Sequence, residues 1–368
     1  DLARSMAQTW GVNVNFIQVT REPERLAELL KTGAVDMVVA TLVHQREFDS
    51  MMEFSNAYYL GEQAIMVRRD DPANSPNDLA NRRIGVVIAT RAESAVANWL
   101  RRTGFSVEIK TYLTLDRAYS ALAVGEIDGL VDSDYRLQQV SINQPDAIKL
   151  LAEPIQYEAY AIAFMRQDAN MRNLINRTLH HLTVTGRMNE IHQAYFPGRV
   201  NRALTVWKNL GETPNPNQYD STMSFPTRYV VPRIQAGNAV RVAGLTGTPN
   251  TESERRLDTF YRSLMNDMAS RWGVTVEYIP STPEEALELV SRGEADITIG
   301  VEPDWSWANR VDFTQPYLWR GDRLMVEIGS NIRGFGDLRG DKVIVSESQA
   351  GTSERATSIA GTISATIE

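Results

Sequence analysis

The 368-residue chain contains no cysteine. That absence excludes a disulfide scaffold, a zinc knuckle and a thiol nucleophile, and it fits the composition of exported bacterial proteins. Histidine is scarce, at four residues. No apolar run approaches the roughly 18 residues of a membrane span. Lysine and arginine are outnumbered, 38 to 46, and the net charge of −8 is spread along the chain. Without a basic patch or stripe, nucleic-acid binding is not expected. GxxxxGK[ST], HExxH and GxSxG are all absent. "GFGDLRG" contains GxG but lacks the strand–turn–helix setting of a phosphate loop. No acid–base constellation stands out, so neither catalysis, nor a cofactor, nor a metal is expected.

What the chain does contain is a repeat. "SMAQTWGVNVNFI" (Ser5 to Ile17) returns as "DMASRWGVTVEYI" (Asp267 to Ile279). In the same order, "LAELLKTGAVDMVVAT" (from Leu26) pairs with "ALELVSRGEADITIGV" (from Ala286), "MEFSNAYYLGEQAIMV" (from Met52) with "VDFTQPYLWRGDRLMV" (from Val311), and "NDLANRRIGVV" (from Asn77) with "GDLRGDKVIVS" (from Gly336). Collinear matches about 260 residues apart indicate a duplicated domain, since solenoid periods are far shorter.

Each copy reads as α/β. Met6–Trp10 ends an amphipathic helix stopped by Gly11. Val12–Val19 alternates as a strand does, and Glu22–Thr32 places Leu26, Leu29 and Leu30 on one helical face. Val35–Thr41 is a continuous apolar run of the kind found inside a parallel sheet. Strands over Arg83–Ala89, Val107–Tyr112 and Ile127–Val131 alternate with helices over Ala92–Thr103 and Leu115–Val124, the pattern of doubly wound sheets. Val200–Asn238 is rich in Pro, Asn, Ser and Thr and reads as a linker. Its aromatic residues Trp207, Tyr219, Phe225 and Tyr229 suggest that it lies along a domain surface.

The segments "TGAVDMVVAT", "MEFSNAYY", "VDFTQPY", "GEIDGLVDSD" and the tail from Glu158 through "HHLTVTGRMNEIHQAYFPG" resemble the type II periplasmic solute-binding proteins of polar amino-acid uptake (family 3). The resemblance implies α/β architecture as tandem bilobed Venus-flytrap domains, each lobe a doubly wound sheet. Copy one would span 1–199, with lobe one about 1–65 and 163–198 and lobe two about 70–160. The linker would be 200–238, and copy two 239–368. It further implies that copy one lacks its first strand, which copy two has from "AVRVAGLTG", and that copy two's second lobe continues past Glu368.

The implied function is an exported, periplasmic or extracellular protein that captures a small polar solute, an amino acid or a related compound, for an ABC permease. The alternative is a tandem flytrap sensor region of a membrane signalling receptor. In copy one the family's carboxylate-binding "TxTxxR" would fall on "TLVHQR", Thr41 to Arg46. The family's spacing from the "FS" motif, however, puts Phe48 where the arginine belongs, so Arg46 is either a ligand fork or a surface charge. Thr90 and Arg91 stand in the "GTT" loop; Thr352 and Ser353 stand there in copy two. Asp132 or Asp134 would take the α-ammonium group, or else cap a helix. Tyr58 would wall the pocket or pack in the core. His44 lies in the ligand loop, while His180, His181 and His192 fall on helices whose exposed faces would account for them. In copy two, Trp305 and Trp307 replace the arginine beside Glu302 and Asp304, a set suited to a cationic ligand or, alternatively, to capping an apolar loop.

Overall fold

The computed structural model describes residues 1–20, 22–39, 42–197, 204, 206–219, 229–237, 239–245, 249, 251–318, 325–332, 337–338, 342–344 and 366–367. The chain divides into two compact units, Asp1–Phe313 and Thr314–Glu368. The first therefore runs through the Pro- and Asn-rich linker and takes in the start of the second repeat. The architecture is mixed α/β. Among the described residues no helix is long and apolar enough to cross a membrane.

The first unit opens with α1 (Leu2–Trp10) and α2 (Pro23–Lys31), followed by β1 (Met37–Val38), β2 (Glu53–Phe54) and the long β3 (Tyr59–Arg68). Gly11 ends α1 in a left-handed conformation, with φ of 69°, which costs glycine no Cβ clash. Next come β4 (Arg83–Val87), α3 (Arg91–Thr103), β5 (Glu108–Tyr112), α4 (Leu115–Ala123), β6 (Gly129–Ser133), α5 (Asp134–Asn143), β7 (Ile148–Leu150), β8 (Gln156–Tyr160) and β9 (Ala163–Phe164). Helices α6 (Ala169–Val184) and α7 (Arg187–Tyr195) close the first repeat. The second contributes α8 (Val230–Gln235), β10 (Val240–Leu245), α9 (Glu252–Trp272), β11 (Val276–Pro280), α10 (Pro283–Ser291) and β12 (Ile297–Thr298). In the second unit β13 (Lys342–Val343) pairs in parallel with β14 (Thr366–Ile367).

Two sheets make up the first repeat. The larger runs β5-β4-β6-β3-β7, with β8 also on β3; the smaller runs β1-β9-β2. Each is packed on both faces, and the period-two alternation of a strand decides which residue goes where. Ile65 and Val67 face α3 and Trp99, whereas Ala64 and Met66 face Leu122 and Leu137. Ile162 and Phe164 meet Met6, Ile175 and Leu179, whereas Ala161 and Ala163 meet Leu26 and Leu30. Val67 and Ile155 are joined to Ile84, Val86 and Val131 in one core, as the continuous apolar runs anticipate.

One expected strand is missing. Val12–Val19 belongs to no sheet, and Val12, Phe16 and Ile17 are 49%, 57% and 53% exposed. The second repeat supplies the reason. There β10 lies between β11 and β12, in parallel with both. Repeat alignment sets β11 against Val14–Gln18 and β12 against β1, but among the described residues no strand lies between that pair in the first repeat. An extended segment without a hydrogen-bonding neighbour does not form a ladder. A charge pair tells the same story. Asp296 binds Arg241, at the start of β10, through both oxygens. Its counterpart Asp36 has no ion-pair partner among the described residues.

The repeat thus contains an internal control. Ile17 is exposed, while its counterpart Ile279 packs beside Ala243, Ala286 and Ala295. Ile17→Ser is expected to change unfolding free energy by no more than about 0.5 kcal/mol, and Ile279→Ser to cost about 1–3 kcal/mol. Chemical denaturation of both variants checks this; equal costs would mean that the two segments are packed alike.

Candidate functional site

In the larger sheet β4 and β6 are parallel, and β6 is antiparallel to β3. The carboxyl ends of β4 and β6 therefore share an edge with the start of β3 and the end of β8. Ligands of open α/β sheets bind beyond such an edge. Here the edge carries Thr90–Arg91, Ser133–Asp134, Tyr59–Gln63 and Glu158–Tyr160. The loop after β1 lies against it. Val43 bridges to Tyr160, His44 N–H donates to Ala159 O at 2.9 Å, and Ala161 N–H donates to Leu42 O at 3.1 Å. The two sheets of the first repeat consequently meet where the predicted ligand loops meet.

A charged cluster occupies that meeting point. Arg91, the first residue of α3, donates through Nη1 to Glu158 Oε2 at 3.2 Å, with Tyr160 Oη at 3.5 Å. Its guanidinium lies over the Tyr160 ring, 5.5 Å from the centroid. The Tyr160 hydroxyl donates to Glu158 Oε2 at 3.2 Å. Burial, and secondarily the Glu158 charge, push the Tyr160 hydroxyl above its ordinary pKa. Gly61 makes the arrangement possible, since a Cβ there would fall 2.8 Å from Tyr160 Cε2.

Glu158 is only 2% exposed and Gln63 3%. Glu158 Oε1 and Gln63 Oε1 are both buried without a hydrogen-bond partner among the described residues. An unmet buried acceptor costs about 1–3 kcal/mol, so a pair of them marks a place where stability has been given up. The turn into α3 is also strained: Ala89 has φ of 58°, a region that residues with a Cβ seldom enter. Its N–H is held by Glu93 Oε2 at 2.8 Å, while Thr90 Oγ1 donates to Val87 O and does not cap the helix.

The predicted site residues are distributed unevenly around this cluster. Arg91 belongs to it, and Thr90 precedes it at the start of α3, its hydroxyl donating to Val87 O. His44 lies alongside, stacked on Phe54 with centroids 4.3 Å apart and bonded to Asp49. Arg46 is exposed on a single 3-10 turn, Arg46–Phe48, with no ion pair among the described residues. Asp132 does not reach the cluster. It pairs with Ala64, so it points to the sheet face opposite Gln63, and its partners are the Ser133 N–H and Arg136. Burial raises its pKa. Asp134 is buried in the first turn of α5. Tyr58 packs on the core of Leu2, Met6 and Ile162, the packing reading of that residue; Tyr59 instead stacks on Phe196, with centroids 4.8 Å apart. Thr41, Thr352 and Ser353 lie outside the described residues. Glu158, Gln63 and Tyr160 were not singled out from sequence. The signal available was a lone acid within the apolar alternation of "YEAYAIAF".

The tryptophans of the second repeat do not form a cation cage. Trp305 is buried, and its indole N–H donates to His180 Nδ1 at 2.9 Å across the two repeats. Trp207 of the linker lies 4.5 Å from the Trp305 ring and 5.3 Å from Phe313. Arg310 covers the Trp307 ring at 4.0 Å. Glu302 pairs with Lys208, and Asp304 accepts from Asn209 and Ser306. Internal cations and rings thus fill the places a ligand would take. Arg172 extends the contact by bridging Glu53 and Asp312. Trp207 therefore lies along a domain surface as expected, whereas Tyr229 is exposed and Phe225 lies outside the described residues. His180 and His192 are buried in place of lying on exposed helix faces.

Burial holds the His180 pKa down, to about 4 from the usual 6.5. The neutral ring is the folded form, and only a neutral Nδ1 accepts from Trp305. The unfolded chain takes up a proton near pH 6.5 and the folded chain only near pH 4. Stability is therefore complete above pH 6.5 and falls as pH drops towards 4, by about 2–3 kcal/mol. Unfolding free energies at pH 7.5 and 4.5 are expected to differ less in His180→Gln than in the wild type; identical pH slopes would exclude this ring as the source.

The chain belongs to the bacterial extracellular solute-binding proteins, family 3, which it matches over residues 1–198 and 251–365. It is similar to a glutamine-binding protein of Geobacillus stearothermophilus, with 23% identity over 48% of this chain and 67% of that one. A glutamate-binding protein of Corynebacterium glutamicum is 26% identical over 57% of this chain and 68% of that one. The chain thus spans about two thirds of the length of these relatives. Among solved structures, an ancestral arginine-binding protein bound to arginine matches with 25% identity over 53% of this chain and 85% of that one, at a TM-score of 0.40.

Proposed function

We propose that the chain acts as an exported protein that captures an amino acid or a closely related polar solute and presents it to an ABC transporter in the membrane. Family membership supports binding and not catalysis, and the relatives are named for binding glutamine and glutamate. The observation that carries the reading is the Arg91–Glu158–Tyr160 cluster at the edge where the two sheets of the first repeat meet. Opposite charges side by side, partly buried, suit a solute bearing both charges.

In this reading the chain holds two flytrap copies, 1–199 and 239–368, joined by the linker 200–238. Among the described residues copy one shows no counterpart of β10. The ligand site is that of copy one. Thr41, Thr90 and Arg91 belong to it, and Arg46, with no carboxylate of its own among the described residues, reaches the solute carboxylate by its planar fork. Thr352 and Ser353 hold the matching place in copy two. Trp305 serves the contact between copies, and Trp307 lies under Arg310 of its own copy.

A thermal-shift screen of the full natural chain against the twenty amino acids, polyamines and small carboxylates tests this. A ligand at a hundredfold excess over its Kd stabilises the folded state by about 2.7 kcal/mol, a shift of several degrees. The expected hit is an amino acid, with affinity lowered at least tenfold in Arg46→Ala. Unchanged affinity in that variant would remove Arg46 from the site.

A further inference from the structure

Resting on that reading of the site, we infer that Glu158, assisted by Gln63, is the ammonium-binding group of the first repeat, and that the site selects free zwitterionic amino acids through it. The resemblance puts that role at the end of β6, on Asp132 or Asp134, but the fold gives Asp132 other work. It faces away from Gln63 and is engaged by Arg136 and the Ser133 N–H. Asp134 is likewise buried within α5. Asp132 Oδ2 also lacks a hydrogen bond, but it lies 2.9 Å from the Arg136 guanidinium; on the opposite face, Glu158 Oε1 of β8 and Gln63 Oε1 of β3 are the unmet acceptors beside Arg91.

The register places them together. Gln63 pairs with Gln156, and Gly61 with Glu158. With a period of two, Gln63, Gly61, Glu158 and Tyr160 share one sheet face. Gly61, opposite Glu158, carries no side chain, which lets the Tyr160 ring lie over it beside the Glu158 carboxylate. Glu158 spends Oε2 on Arg91 and Tyr160 and leaves Oε1 unmet; Gln63 Oε1 is also unmet. Two buried acceptors with no donor match the three N–H groups of an ammonium.

Arg91 supplies the other half. Both of its contacts use Nη1, which leaves Nε and Nη2 without a hydrogen bond among the described residues. They stand at the first turn of α3, a helix with no side-chain cap, where the exposed amides and the helix dipole favour negative charge. An ion pair of zero net charge is thus presented side by side to a solute of zero net charge. A diamine meets Arg91 with like charge. An N-acylated amino acid offers Glu158 a single amide N–H in place of a charged donor.

The test is calorimetric titration of the full chain with L-glutamine, L-glutamate and L-arginine, their N-acetyl forms, and putrescine, repeated on Glu158→Gln and Gln63→Leu. The expected result is that at least one free amino acid binds, that its N-acetyl form and putrescine bind at least tenfold more weakly, and that Glu158→Gln loses at least tenfold in affinity. Equal binding of the free and N-acetyl forms, or unchanged affinity in a folded Glu158→Gln, would overturn the inference and leave amino-acid capture standing. Binding by none of the three amino acids would overturn the reading of the site and the inference with it. Should Glu158→Gln not fold, the N-acetyl comparison on the wild type and the Gln63→Leu variant, expected to lose affinity, decide the matter.

Discussion

The first repeat depends on one continuous piece of backbone. Gln156–Tyr160 pairs with β3 in the larger sheet, and three residues later Ala163–Phe164 lies between β1 and β2 in the smaller. Between them Val43 bridges to Tyr160 and Ile162 N–H donates to Ser55 Oγ. Each sheet gains its hydrogen bonds from this segment, so each constrains the other's position along it. The same segment carries Glu158 and Tyr160. A charged side chain is tolerated there because the neighbouring backbone is committed to two ladders and does not depend on that side chain for its packing.

The pairing of β3 with β8 also explains why the cluster is under-satisfied. The backbone register holds Glu158 and Gln63 on a buried face, and the Tyr160 ring lies over Gly61, where a Cβ would meet it at 2.8 Å. Apolar residues of similar size would bury more favourably than two acceptors lacking donors. Retaining the polar groups is the kind of local conflict with folding that marks a functional position.

A second contact organises the first unit as a whole. His180, Trp207, Trp305 and Phe313 bring together α6 of the first repeat, the linker and the loop after β12 of the second. The indole–imidazole hydrogen bond gives two buried polar atoms a partner in each other, so an aromatic core can form there without an unmet donor. This contact holds the second repeat's loop in the place where sequence comparison puts a ligand, and it does so with groups the chain itself provides.

Much of this was legible in the sequence. Collinear repeats, the glycine that ends α1, the period of α2 and the apolar runs of β3, β4 and β6 are local properties, dictated by backbone preference and by the need to bury one face. Arg91 was also legible, because a loop between strand and helix keeps its position at the sheet edge. Three things were not. Val12–Val19 alternates as a strand does, yet a strand requires a neighbour, and the neighbour lies elsewhere in the repeat unit. Trp305 and Trp307 carry the chemistry of a cation site, yet His180 and Trp207, distant in sequence, pack on Trp305, and the nearby Arg310 covers Trp307. Glu158 and Asp132 are both acids within strands, each with one oxygen lacking a hydrogen bond and each beside an arginine, and only register and sheet face place Glu158 with Arg91 and Asp132 with Arg136. The sequence by itself determined which elements form and in what order. The tertiary structure alone decided which polar groups are left without partners, because that depends on side chains brought together across the chain.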